Sequence, residues 1–211
     1  LPLQRGVTPA ACGSSAFCYA AKRGQTDVVQ LLLDLPLERG VDPAADNNFA
    51  LRGAAQNGQT DVVKLLLDLP LERGVDPGAD NHYALRYAAR EGRTDIVKLL
   101  LDLPLGRGVT VGADADYAFR RAAENGHTDI VKLLVDLPLE RGVDSGFYSA
   151  AFNGYADIVQ LLVNLSPDRR PHRAVVQGVL SSSELESASI SDILKEHLAE
   201  TEHAPKRRKV G

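Results

Sequence analysis

Five histidines and two cysteines are the side chains of this 211-residue sequence best suited to hold a metal. His82, His127, His172, His197 and His203 fall at no ligand spacing, and Cys12 with Cys18 lacks the second pair a zinc site needs. Asp114-Ala115-Asp116 starts like a calcium loop, but Phe119 stands where the loop needs Gly and Asn125 where it needs a bidentate Glu. A phosphate-cradling Gly-rich loop and a nucleophile elbow are both missing from the sequence. The expectation is no metal ligand, no cofactor-binding residue, no catalytic residue and no small-molecule substrate, hence no enzyme.

Arginines and a basic run carry the remaining chemistry. Arg52, Arg86 and Arg120 recur at one spacing. Guanidinium forks at that spacing could clamp acidic or phosphorylated groups. They could equally interleave with Asp46, Asp80 and Asp114 as exposed pairs worth about 0.2–1 kcal/mol each, and this structural reading is preferred. Lys206, Arg207, Arg208 and Lys209 follow Pro205 near the C-terminus. An extended basic strand of this kind resembles a nuclear import signal, which makes an import receptor a candidate partner; the alternative is a solubilising or nucleic-acid-touching end. Ser181, Ser183 and Ser189 each precede an acidic residue by three positions, a spacing shared by acidophilic kinase sites and helix caps.

What positions these groups is a repeat. Leu-Pro occurs at 1, 35, 69, 103 and 137, a strict period of 34 residues. A period this far beyond one helix or strand signals a solenoid of stacked supersecondary units. Each unit predicts two helices. The first follows Asp46, Asp80 or Asp114 with an Ala-rich face, and ends at Gly58, Gly92 or Gly126, where Gly permits the left-handed conformation. The second starts at Thr60, Thr94 or Thr128, whose hydroxyl is expected to cap it, with Asp61, Asp95 or Asp129 at its positive end. Pro70 should stop that helix near Asp68 or turn it into a short extra turn closed by Gly74. The first unit should be helical near 14–23 and 26–34. Single helices this short are marginal in water, so stacking must stabilise them.

The expected fold class is therefore all-α: a helix-turn-helix solenoid of about five stacked repeats (1–34, 35–68, 69–102, 103–136 and a shortened 137–165). Residues 166–203 should form a linker and an amphipathic capping helix with Ile190, Ile193, Leu194, His197 and Leu198 on one face and Ser189 with Asp192 as a capping box; 204–211 should be a disordered basic tail. A net charge of −4 disfavours the array as a nucleic-acid or anionic-membrane binder. Every apolar run is shorter than the roughly 20 residues that span a bilayer. Two cysteines suit a reducing, intracellular setting. The sequence has no Met and begins at Leu1 in mid-motif, so an upstream segment is expected.

Ala54-Ala55-Gln56-Asn57-Gly58-Gln59-Thr60-Asp61-Val62-Val63-Lys64-Leu65-Leu66-Leu67 closely resembles the core of an ankyrin repeat, and the fourth unit supplies His127 after Gly126 as that family does. The resemblance recurs five times over about residues 14–165. Two departures are systematic: Phe49-Ala50-Leu51-Arg52 and its counterparts replace the usual Thr-Pro-Leu-His, and Leu-Pro-Leu-Glu-Arg-Gly is inserted. Both resemble the divergent ankyrin arrays of giant viruses and unicellular eukaryotes.

The repeats also align with one another. Gln56/Asn57, Arg90/Glu91 and Glu124/Asn125 vary, as do the columns holding His82 and Asp116 and holding Tyr87 and Arg121. The resemblance implies that Gln56, Asn57, His82, Tyr87, Arg90, Glu91, Asp116, Arg121, Glu124 and Asn125 belong to a concave face through which such arrays hold a protein partner. The expected function is a non-catalytic interaction module, with the nucleus as a location through the tail and the cytoplasm otherwise. Two alternatives stay open: the recognition arm of a larger enzyme or ligase adaptor, and a nucleic-acid-associated regulator using the tail.

Overall fold

The Ala pairs and the Val/Leu triplets place small side chains on one helix of each unit and large ones on the other, and the units stack accordingly. The computed structural model describes residues 9–35, 41–104, 113–137 and 142–203. Among them the chain forms twelve α-helices and one 3-10 turn, with no strand. They run as α1 Pro9–Arg23, α2 Thr26–Leu33, α3 Ala45–Asn57, α4 Thr60–Leu67, α5 Ala79–Arg90, α6 Thr94–Leu101, α7 Ala113–Glu124, α8 Thr128–Val135, α9 Gly142–Phe152, α10 Ala156–Val163, α11 Arg173–Leu180 and α12 Ala188–His203. Odd helices form one layer and even helices the other. The odd helices α1 to α9 pack more closely on their neighbours than α2 to α10 do, because Ala54, Ala55, Ala88, Ala89, Ala122 and Ala123 are fully buried between them. Shorter spacing on that side makes it the inner side of a curved stack.

A single column of large side chains threads the odd layer: Phe17, Leu51, Leu85, Phe119 and Phe147 are all 0% exposed. Val63, Leu66, Val97, Leu100, Val131 and Leu134 seal the interface with the even layer. Each would stabilise the stack by about 1.5–3 kcal/mol.

The punctuation follows the expectations in most details. Gly58 takes φ 77° and closes α3 with Gly58 N–H donating to Ala55 O and Gln59 N–H to Ala54 O, a Schellman turn repeated at Gly24, Gly92, Gly126 and Gly154. Pro70 ends the extended connector, Leu71–Arg73 makes one 3-10 turn, and Gly74 closes it at φ 70°. The Thr caps are a correction. The N-caps of α4, α6 and α8 are Gln59, Arg93 and His127, none with a side-chain cap bond, and Thr60, Thr94 and Thr128 are the first helical residues. The Schellman turn before them already fixes the entry, so the hydroxyl sits one position too late to cap.

The start of the first helices differs too. Asp46, Asn47 and Asn48, and again Asp80, Asn81 and His82, hold left-handed dihedrals, so the right-handed helix begins only at Phe49 or Tyr83. Asn48 is buried there, and its Oδ1 accepts the Asp76 backbone N–H at 2.9 Å, tying one unit to the next. Residues 166–203 contain two helices where one was expected. α11 packs on α9 and α12 on α10, so the pair continues the stack as a sixth unit. Ile190 and Leu194 are 0% exposed, and His197 is 9% exposed, as the one-face pattern requires. At the start of α12 the Ser187 hydroxyl, rather than Ser189, accepts a backbone N–H, from Ile190 at 3.4 Å.

Candidate functional site

The inner face is built from the residues that point away from the Ala pairs on the odd helices. Positions three and four apart share a helix face, so Tyr83, Tyr87 and Arg90 line up along α5, and Tyr117, Arg121 and Glu124 along α7. Tyr83 and Tyr87 stack with ring centroids 3.9 Å apart and 13° between planes. The Tyr83 hydroxyl donates to Gln56 Oε1 on α3 at 3.3 Å. The Arg90 guanidinium lies 5.6 Å from the Tyr87 centroid and ion-pairs with Glu91 at 3.7 Å. On α7, Arg121 bonds Glu124 at 2.8 Å and sits 5.0 Å from the Tyr117 centroid.

Tyr117 is also approached by Arg86 from α5, at 4.4 Å, and by Arg120, at 5.4 Å. Three guanidinia around one ring form a cation–π cluster, each contact worth about 0.5–1 kcal/mol at an exposed site. The hydrogen bond from Arg121 holds the Tyr117 phenol below its ordinary pKa in spite of burial. Burial, and then the neighbouring Tyr87, push the Tyr83 phenol up. The Nε atoms of Arg52, Arg86 and Arg121 are buried without a hydrogen-bond partner among the described residues, because the guanidinium planes lie against rings.

The Arg ladder meets the Asp column at Arg52. Arg52 ion-pairs with Asp80 of the following unit, while Asp46 offers it only a backbone carbonyl, at 3.2 Å. Arg86 donates to Asn81 O at 3.1 Å. The Asp114 side chain lies outside the described residues.

Of the ten residues expected on the face, Gln56, Tyr87, Arg90, Glu91, Arg121 and Glu124 enter the two aromatic clusters or their ion pairs. Asn57 and Asn125 are exposed, but each amide donates to a carbonyl one turn back, Gly53 O and Arg121 O at 2.8 Å, and so closes its own helix end. His82 and Asp116 are half-buried near the opposite ends of α5 and α7. His82 sits in the left-handed turn before the right-handed part of α5, which Arg90 ends, so the two lie in different rows. Sequence reasoning left out Tyr83 and Tyr117, each of which lies 31 residues after the ladder arginine of the preceding unit that stacks on it, Arg52 and Arg86.

A pocket of about 690 Å³ opens at the start of this face, lined by Cys18, Tyr19, Lys22, Arg23, Asp46 and Phe49 among others. Burial raises the Cys18 thiol pKa above its ordinary value. No group of three metal-ligating side chains occurs among the described residues, and none of their helices is long and apolar enough to cross a membrane. Lys206, Arg207, Arg208 and Lys209 lie outside the described residues.

A family model of ankyrin repeats, in three copies, matches residues 3–81, 54–144 and 85–172. Among solved structures the chain is similar to the human ASB11 ankyrin repeat domain, with a TM-score of 0.63 and 17% identity over 86% of this chain and 82% of that one. No curated protein matches the sequence.

Proposed function

The chain belongs to the ankyrin repeat family, and from that premise we propose that it is a non-catalytic module holding a protein partner on its inner face. Ankyrin repeats are generally protein–protein interaction modules, and the family is typically non-catalytic. The observation that carries the reading is the pair of aromatic–arginine clusters, Tyr83–Tyr87–Arg90 and Tyr117–Arg121–Glu124, set side by side on α5 and α7. Tyr and Arg dominate the energetics of protein interfaces, because rigid rings and planar forks contribute contact area at small entropic cost. Tyr87 and Arg121, and Arg90 and Glu124, stand at positions where the otherwise regular repeat varies.

The tail at Lys206–Lys209 is proposed as an import signal giving a nuclear location; its basic run behind Pro205 supports this. One affinity capture from cell extract tests both readings with three baits: the full chain, residues 1–204, and the full chain carrying Tyr87→Ala, Arg90→Ala, Glu91→Ala and Arg121→Ala. The expected result is a partner held by the first two and lost from the third, with import receptors lost only from the second. A partner kept by all three would remove the inner face from consideration. Import receptors bound equally by residues 1–204 would do the same for the tail.

A further inference from the structure

The net charge of −4 is unevenly divided between the two layers. Each even helix from α2 to α10 carries an aspartate in its first turn, and Asp34, Asp68, Asp102 and Asp136 close four of them, against Lys64, Lys98 and Lys132. The inner face has the opposite sign. α1 contributes Lys22 and Arg23, α3 Arg52, α5 Arg86 and Arg90, and α7 Arg120 and Arg121. Glu91 and Glu124 are each paired with an arginine of their own unit, and Asp80 holds Arg52. Asp46 and Asp116 stand near the starting ends of α3 and α7.

Rings, rather than carboxylates, fix most of the remaining cations. Arg86 and Arg120 lie 4.4 and 5.4 Å from the Tyr117 centroid, Arg23 lies 5.1 Å from that of Tyr19, and none of the three makes an ion pair among the described residues. A ring holds a guanidinium in place without neutralising it, so the charge stays available to a partner. Lys22 and Arg23 are exposed at the pocket of about 690 Å³ where the face begins. Tyr19, 57% exposed, and Phe49, 40% exposed, offer apolar surface beside them.

Neighbouring helices of a layer pack about 8–10 Å apart, and an extended chain rises about 3.3 Å per residue. One unit therefore corresponds to about three residues of a strand laid across the face. Resting on the proposed role of the inner face, we infer that the partner segment it holds is an extended acidic peptide. Its Asp or Glu side chains, about three residues apart, meet the cations of successive units. Single-stranded nucleic acid, the other extended anion, fits this face worse. Its bases need open ring faces to stack on, whereas Tyr117 already carries guanidinia and Tyr83 is stacked on Tyr87 at 3.9 Å.

A library of random linear peptides selected on the immobilised full chain tests the inference. Selected peptides should carry Asp or Glu about three residues apart. Retested by fluorescence anisotropy, they should bind about tenfold or more weakly to the chain carrying Lys22→Glu and Arg90→Glu. Lys98→Glu on the outer layer should leave their affinity unchanged, and added salt should lower it. Lys22, Arg90 and Lys98 are all exposed, so these reversals leave the core intact. Selected peptides that lack acidic residues, yet are lost from the chain carrying Tyr87→Ala and Arg121→Ala, would overturn the acidic segment while keeping the inner face as the binding surface. Peptides indifferent to every inner-face variant would remove that surface, and the acidic segment with it. A single-stranded thymidine oligonucleotide bound more tightly than the selected peptides, and lost with Lys22→Glu and Arg90→Glu, would make nucleic acid the occupant and overturn the inference as well.

Discussion

At the scale of single residues, the tightest fit in the stack joins Phe119 to Gly146. Phe119 stands where two earlier units have Leu51 and Leu85, and Gly146 where the earlier units have Ala50, Ala84 and Ala118. A Cβ at Gly146 would overlap the Phe119 ring, with Cδ1 only 2.8 Å away. The larger ring and the missing methyl are one coupled choice. Helix propensity alone favours Gly146→Ala by about 1 kcal/mol. Overpacking opposes it at about 1–3 kcal/mol, and a fully buried ring in a closed layer has little room to yield. We expect Gly146→Ala to lower stability in urea denaturation and Phe119→Leu to restore it in the double variant, with a clear coupling in the cycle. A stabilised single variant would mean that the helices separate freely at this step. Such coupling was invisible in the sequence, where Gly146 reads as an ordinary break in the Ala column.

At the scale of elements, the turns that launch α3 and α5 carry strain. Three consecutive residues hold left-handed dihedrals in each, and for L-residues that costs roughly 1–2 kcal/mol apiece. Asp, Asn and His are the non-glycine residues that tolerate the region best, and these are the types present. Asn81, exposed with φ 54° and ψ 54°, isolates the effect. Asn81→Ala should cost about 1 kcal/mol, while Asn81→Gly should be neutral or stabilising, as read from urea midpoints. Equal effects of the two would refute the left-handed assignment. The Asp-Asn pairs were legible as a helix start, but the extra left-handed turn was not. It depends on Asn48 reaching the Asp76 backbone in the next unit. α11 was missed for a different reason: Val175, Val176, Val179 and Leu180 within eight residues suit a strand as well as a helix, and only packing on α9 decides.

At the scale of the molecule, the stack ends in α11 and α12, which cover the apolar ends of α9 and α10. Val176, Val179, Ile190 and Leu194 are almost wholly buried in that contact, each stabilising by about 1.5–3 kcal/mol. A chain ending at Leu165 should begin to unfold at lower urea and self-associate in sedimentation, since a solenoid needs a polar terminal unit. A truncated chain that stays monomeric with an unchanged midpoint would show that the sixth unit is only an appendage. The sequence by itself determined the number and kind of the first five units, the Gly that closes each first helix and the buried positions, because each is set by local spacing repeated along the chain. Only the tertiary structure decided that Arg52 pairs with Asp80 and that three arginines share Tyr117. Those contacts depend on the rise and rotation between units, which arise from side-chain volumes across an interface and leave no periodic mark along the chain.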